Sequence, residues 1–138
     1  MFEKLLIALD NSDHASKTLE VATELGTKLG SEMRVLHVLE LGFAGRGGQV
    51  ELEDREEAEE IVAQAVAALQ ARGLTATGAM YAAQTNRVAH EIAAEAAASG
   101  ATAIVTGSRG RSGLETALIG STTNKLLHLV EMPVVVAR

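Results

Sequence analysis

Hydrophobic positions along this chain alternate between short unbroken runs and longer stretches of helical spacing. Residues 5–9 (LLIAL) form one run, closed by Asp10-Asn11-Ser12-Asp13, a cluster of turn-forming and helix-capping side chains. That is the pattern of a buried strand feeding a helix. Leu19, Ala22, Leu25 and Leu29 then recur with helical period, Lys28 falls in the last turn, and Gly30 stands where a C-terminal cap belongs. Residues 33–39 read as a second strand.

The segment LGFAGRGGQV, residues 41–50, reads as a flexible loop. Its Gly45-Arg46-Gly47-Gly48 is similar to part of a dinucleotide-binding fingerprint, but it lacks the third glycine and opens no helix, so that match is set aside. From Glu51 to Arg72 the pattern predicts a long helix. It begins with the acidic run Glu51, Glu53, Asp54, Glu56, Glu57, Glu59 and Glu60 and ends on Arg72 and Gly73, charges that complement the helix dipole. The acidic run reads as a solvated helix face, with a cation or partner site as the alternative. Residues 74–81 suit a third strand. Thr85 or Asn86 can cap an alanine-rich helix that runs through Ser99 and stops at Gly100. Residues 101–106 suit a fourth strand, and 121–131 a last helix. Pro133 then starts a final strand, Val134-Val135-Val136, at a position where its missing N–H is tolerated.

Strand and helix thus alternate to a terminal strand, and the strands are continuously apolar, as strands covered on both faces are. The expected fold is α/β: a three-layer, doubly wound, five-stranded parallel sheet in one domain over residues 1–138. In such sheets a ligand lies beyond the carboxyl ends of the strands, where strand order reverses. Two segments reach that edge with suitable chemistry, Asp10 after the first strand and Gly107 onward after the fourth.

Composition narrows the picture. At 138 residues the chain is long enough for one sizeable core. Hydrophobic residues make up 47% but aromatics only 2%, so that core is aliphatic and suits close packing of helices on a sheet. A net charge of −6 argues against a nucleic-acid partner, which calls for a basic face. The absence of cysteine removes a disulfide framework and a thiolate metal site. MFEKLLIALDNSD reads as a strand and not as a signal peptide, and no stretch approaches the roughly 20 apolar residues of a membrane span. The expectation is a soluble, cytoplasmic protein with no membrane partner.

Candidate chemistry concentrates in GSRGRSGLETALIGST, residues 107–122. Gly107 and Gly110 leave no side chain between main-chain amides and a ligand, and converging amides hold anions. Gly120, Ser121 and Thr122 open a helix, whose free N–H groups and positive dipole end favour phosphate oxygens. The loop is not a P-loop, because its first following lysine, Lys125, lies within the helix. Phosphate binding and a capped helix after a turn both fit these residues.

Gly107-x-x-Gly110, nine residues, then Gly120-Ser121 matches the G-2x-G-9x-G-[ST] signature of the universal stress protein family, and LLIALDNSDHA, VLHV, IVTGSRGRSG and GSTTNKLLHLVEMPVVVAR resemble that family's first strand, second strand and C-terminal third. The resemblance covers nearly the whole chain and is weakest at residues 41–50 and 84–87. It implies a Rossmann-like fold of the adenine nucleotide alpha hydrolase type, a homodimer through the final strand (Val134, Val135, Val136), and in the nucleotide-binding branch a bound ATP, ADP or AMP. Carried over by position, Thr106, Gly107, Ser108, Gly110, Gly120, Ser121 and Thr122 would hold phosphates and ribose. Ala8, Leu9 and Asp10 would adjoin the adenosine and the Val38 main chain the adenine. Arg109 would lie over the phosphates or face solvent. Mg²⁺ or Mn²⁺ would be held by the phosphates rather than by the protein. The resemblance further implies a regulator of the stress response that acts on an unidentified protein partner.

Other candidates carry less. Asp10 can equally cap the following helix. His37 reads as a satisfied core histidine, and His14, His90 and His128 show no metal spacing. His90-Glu91 opens like a zinc-protease helix, but Ala94 stands where the second histidine must be. For hydrolysis, neither a water-activating base nor a charge stabiliser is evident. Any ATPase activity is expected to be slow, with slow hydrolysis or a purely protein-binding role as the alternatives to a nucleotide-state signal.

Overall fold

Parallel strands need long crossovers, and helices that bury one apolar stripe on the sheet supply them here. The computed structural model describes residues 1–108 and 119–138. Its elements are β1 (Lys4–Leu9), α1 (Ala15–Leu29), β2 (Glu32–Phe43), β3 (Gln49–Glu51), α2 (Arg55–Ala71), β4 (Ala76–Gln84), α3 (Val88–Ser99), β5 (Ala103–Gly107), α4 (Ser121–Leu129) and β6 (Val134–Ala137). Short 3-10 turns occupy Gly45–Gly47 and Thr85–Arg87.

The strands β4, β2, β1, β5 and β6 lie side by side in that order, every pair parallel. Because β1 and β4 take the two edges of β2, the antiparallel β3 shares an edge with β1 and sits beyond the end of β1, pairing Leu41 with Glu51 and Phe43 with Gln49. The chain steps outward from β1 through β2 to β4, then crosses back to lay β5 and β6 on the other side of β1. Strand order therefore reverses between β1 and β5.

Alternation along each strand splits the core in two. Leu5, Ile7, Met33, Val35 and Val105 meet Ala22 of α1 and Val62, Ala65 and Leu69 of α2 on one face. Leu6, Ala8, Leu36, Val38 and Ile104 meet Val88, Ala89, Ile92 and Ala96 of α3 and Leu126 of α4 on the other. Gly30 (φ 68°) and Gly100 (φ 73°) end α1 and α3 in the left-handed conformation that glycine adopts without strain. On the second face the buried Glu95 carboxylate accepts from Arg34 Nε at 3.0 Å. The same carboxylate, by hydrogen bonding, pushes the Tyr81 phenol above its ordinary range.

The expected α/β three-layer fold is present, with one added strand. The segment 41–50 is not a flexible loop: β2 continues through Phe43, and residues 49–51 find hydrogen-bond partners along its free edge. That pairing also moves the start of α2 from Glu51 to Arg55, where Asp54 accepts from the Glu57 amide at 3.0 Å as N-cap. Nor is the acidic run wholly a solvated helix face. Glu56, Glu57, Glu59 and Glu60 are exposed, but the Glu53 side chain turns inward. No described helix is long and apolar enough to cross a membrane.

Candidate functional site

The strand reversal leaves an opening above the carboxyl ends of β1 and β5, where two crossovers depart in opposite directions. A cleft of about 420 Å³ occupies it, within the roughly 300–1,000 Å³ typical of small-molecule sites. Its floor is Ala8 and Leu9 of β1 and Asp10 just after it, with Thr106 and Gly107 from β5, neighbours through the Ala8–Thr106 pair. One wall is apolar, built by Leu36 and Val38 of β2, Val88 and Ile92 of α3, and Leu52 beyond β3. The opposite end is the amino terminus of α4, Gly120 to Thr123.

The polar end is braced. Gly120 N donates to Ser108 O, and Ser108 N donates to Ala137 O of β6 at 3.0 Å. The buried Thr123 hydroxyl donates to Gly107 O at 2.8 Å, fixing the first turn of α4 against the end of β5. The opening amides of α4 have no partner within the helix, and its first turn carries no acidic side chain, so among the described residues no acid in that turn offsets the positive end of the dipole where it meets the cleft.

At the other end, Asp10 Oδ1 accepts from Ser12 N at 2.9 Å and from Ser12 Oγ at 2.6 Å, an Asx turn that carries the chain away from β1 toward α1. Asp10 is not the helix cap; that position belongs to His14. The β1–β2 ladder ends at the Leu9–His37 pair, whereas β3 joins β2 only from Leu41, and Leu52 N donates to Glu40 O. Residues 38–39 therefore form a gap in the ladder on the side of the cleft, where main-chain groups can meet a flat heteroaromatic edge. Behind the gap, His37 is buried as the sequence suggested: its Nδ1 lies 2.7 Å from Leu9 O and its Nε2 2.6 Å from Glu53 Oε1.

Of the sequence-derived site residues, Ala8, Leu9, Asp10, Val38, Thr106, Gly107, Gly120, Ser121 and Thr122 line this one cleft. Ser108 is buried beneath it, with both backbone groups hydrogen-bonded. Arg109 and Gly110 lie outside the described residues. The sequence reading missed Leu36, Glu40, Leu52, Thr85, Val88, Ile92 and Thr123. Leu36 and Glu40 were recoverable, being two residues either side of Val38 on a strand. Leu52 was not, since its place depends on β3. Among the described residues, no group of three or more His, Asp or Glu side chains is arranged to hold a metal ion.

The sequence model of the universal stress protein family matches residues 1–138. Universal stress protein YxiE from Bacillus subtilis (strain 168) is 30% identical over 151 residues, covering 100% of both chains. A solved universal stress protein from Archaeoglobus fulgidus shares 26% identity and superposes with a TM-score of 0.76, covering 100% of each chain. A second solved structure, the universal stress protein from Archaeoglobus fulgidus in complex with dAMP, is 24% identical with a TM-score of 0.72, again over 100% of both. A family match along the full length, together with a relative of this identity and coverage, establishes that the chain belongs to the universal stress protein family.

Proposed function

We propose that the cleft binds an adenine nucleotide, ATP foremost, and that the chain is a cytoplasmic, nucleotide-dependent regulator in the stress response. One observation carries this reading: a single cleft joins an apolar slot over a gap in the β2 ladder to the amino terminus of α4, whose first turn carries no acidic side chain. A nucleotide has the same polarity, a flat base at one end and phosphate charge at the other. Adenine would sit against Val38, the ribose by Leu9 and Asp10, and the phosphates at Gly107, Ser108, Gly120, Ser121 and Thr122, with Arg109 and Gly110 as further proposed contacts. The dAMP of the Archaeoglobus fulgidus complex is a ligand of this class.

Mg²⁺ or Mn²⁺ would enter with the phosphates, because the described residues gather no metal-holding cluster of their own. Among the described residues, Asp10 and Glu40 are the carboxylates lining the cleft, and they stand after β1 and on β2, on the side given to the nucleoside. Turnover would then be slow, and bound nucleotide would act as a state that a protein partner reads. β6 closes one end of the sheet order, and its half-buried valines offer the edge for a homodimer.

Calorimetric titration of ATP into protein stripped of nucleotide tests the reading, using wild type and Ser121→Asp. An acid in the first turn favours the helix by about 0.3–1 kcal/mol, so the variant keeps its fold. It also places negative charge where the phosphates belong. Wild type should bind, and the variant should bind at least about tenfold more weakly, about 1.4 kcal/mol. Equal binding by both would remove the phosphates from α4, and no binding by wild type would leave a protein-interaction role.

A further inference from the structure

The strap between β2 and α2 is fastened from behind the sheet, at the point where it forms a wall of the cleft in front. His37 is 2% exposed, and its Nδ1 faces the Leu9 carbonyl, which only accepts, so Nδ1 carries a proton and donates. Its Nε2 lies 2.6 Å from Glu53 Oε1, and the Glu53 side chain is only 7% exposed. A carboxylate also only accepts, so this contact holds one further proton, on the ring or on the carboxyl. An acidic side chain in a strap at the protein surface would otherwise lie in water.

The hydrogen bonds run Glu53 to His37 to Leu9, linking the strap to the end of β1 beneath the cleft. On the front, the neighbouring residue Leu52 lines the cleft, its backbone N–H held by Glu40 O. Its side chain lies flat on Gly42: a Cβ there would stand 2.8 Å from Leu52 Cδ2. The strand before it, β3, pairs over three residues, all exposed, too little to fix the strap alone.

We infer that Glu53 is a positioning residue of the nucleotide site, anchoring the strap to His37 so that Leu52 forms the outer wall of the base slot. The inference rests on the nucleotide reading above and assigns to residues 52 and 53 the affinity for the base rather than for the phosphates.

The test measures ATP affinity by calorimetry, and inorganic tripolyphosphate affinity by competition against ATP, for wild type, Leu52→Ala, Glu53→Ala and Glu53→Gln. Glutamine can donate its amide N–H to the neutral Nε2 and so keep the bond without the extra proton. Leu52→Ala and Glu53→Ala should each weaken ATP roughly fivefold or more, the loss of about 1 kcal/mol of apolar contact. Glu53→Gln should stay within about twofold of wild type, and tripolyphosphate should bind all four proteins alike. Wild-type ATP affinity in Glu53→Ala, or equal loss of ATP and tripolyphosphate in it, would overturn the inference while leaving the nucleotide reading intact. Absence of ATP binding by wild type would overturn both.

Discussion

Thr123 carries much of the cleft's geometry on one hydroxyl. It is 5% exposed, and its Oγ1 donates to Gly107 O at 2.8 Å, so it ties the first turn of α4 to the end of β5 beside the Gly120 N to Ser108 O bond. Thr123→Val keeps the shape and removes the donor that meets the half-buried Gly107 carbonyl, at a cost of about 1 kcal/mol. Urea denaturation should show the midpoint fall, and an unchanged midpoint would contradict this role. Single cleft-lining residues were legible where the cleft follows a strand end: Asp10, Thr106, Gly107 and the Gly120-Ser121-Thr122 step are announced by the apolar run or the glycine before them. Thr123 and Glu53 were not. A threonine inside a helix gives no local sign that it reaches another element, and a glutamate in a run of seven acids does not reveal that it alone turns inward.

Elements were readable in proportion to the strength of their own punctuation. β1 and α1 emerged almost residue for residue, because an unbroken apolar run, a polar cluster and a left-handed glycine mark their limits. The strap failed for the opposite reason. Its β3 is three exposed residues with no apolar alternation, held by tertiary pairing with β2, and glycines before it signal only a loop. β4 was displaced by a few residues, ending at Gln84 rather than near Tyr81, because it follows the length of β2 beside it. β6 was legible as an apolar strand, and among the described residues it pairs with β5 alone, which makes it an edge, with Leu127 and Leu129 of α4 exposed nearby in sequence. An apolar edge invites pairing with a second copy, and an edge lysine opposes it. If the proposed homodimer forms through this edge, wild type should sediment as a dimer and Val136→Lys as a folded monomer with an unchanged far-UV circular dichroism spectrum. A variant that remains dimeric would place the interface elsewhere.

At the scale of the whole molecule, the cleft follows from the order β4-β2-β1-β5-β6. The reversal between β1 and β5 draws together chain segments about a hundred residues apart, Asp10 and the Gly120-Ser121-Thr122 step among them. Helical and strand periodicity could predict this opening, since an alternating chain of apolar strands has few other foldings. It could not predict what walls the opening, because Leu52, Val88 and Ile92 arrive from elements whose positions only packing decides. A second groove, between α1 and α2, is lined by Ser16, Glu20, Thr23, Glu24, Lys28 and Arg72, with Lys28 ion-paired to Glu24 at 2.9 Å, so its charges are mixed where the cleft's are not. The most direct measurement is therefore amide chemical-shift mapping by NMR during titration of the stripped protein with ATP. The account predicts that the largest shifts fall at Leu9, Asp10, Val38, Thr106, Gly107, Ser121 and Thr122, with Leu52 and Glu53 following. Shifts confined to residues of the α1–α2 groove, or a spectrum unmoved by ATP, would contradict it.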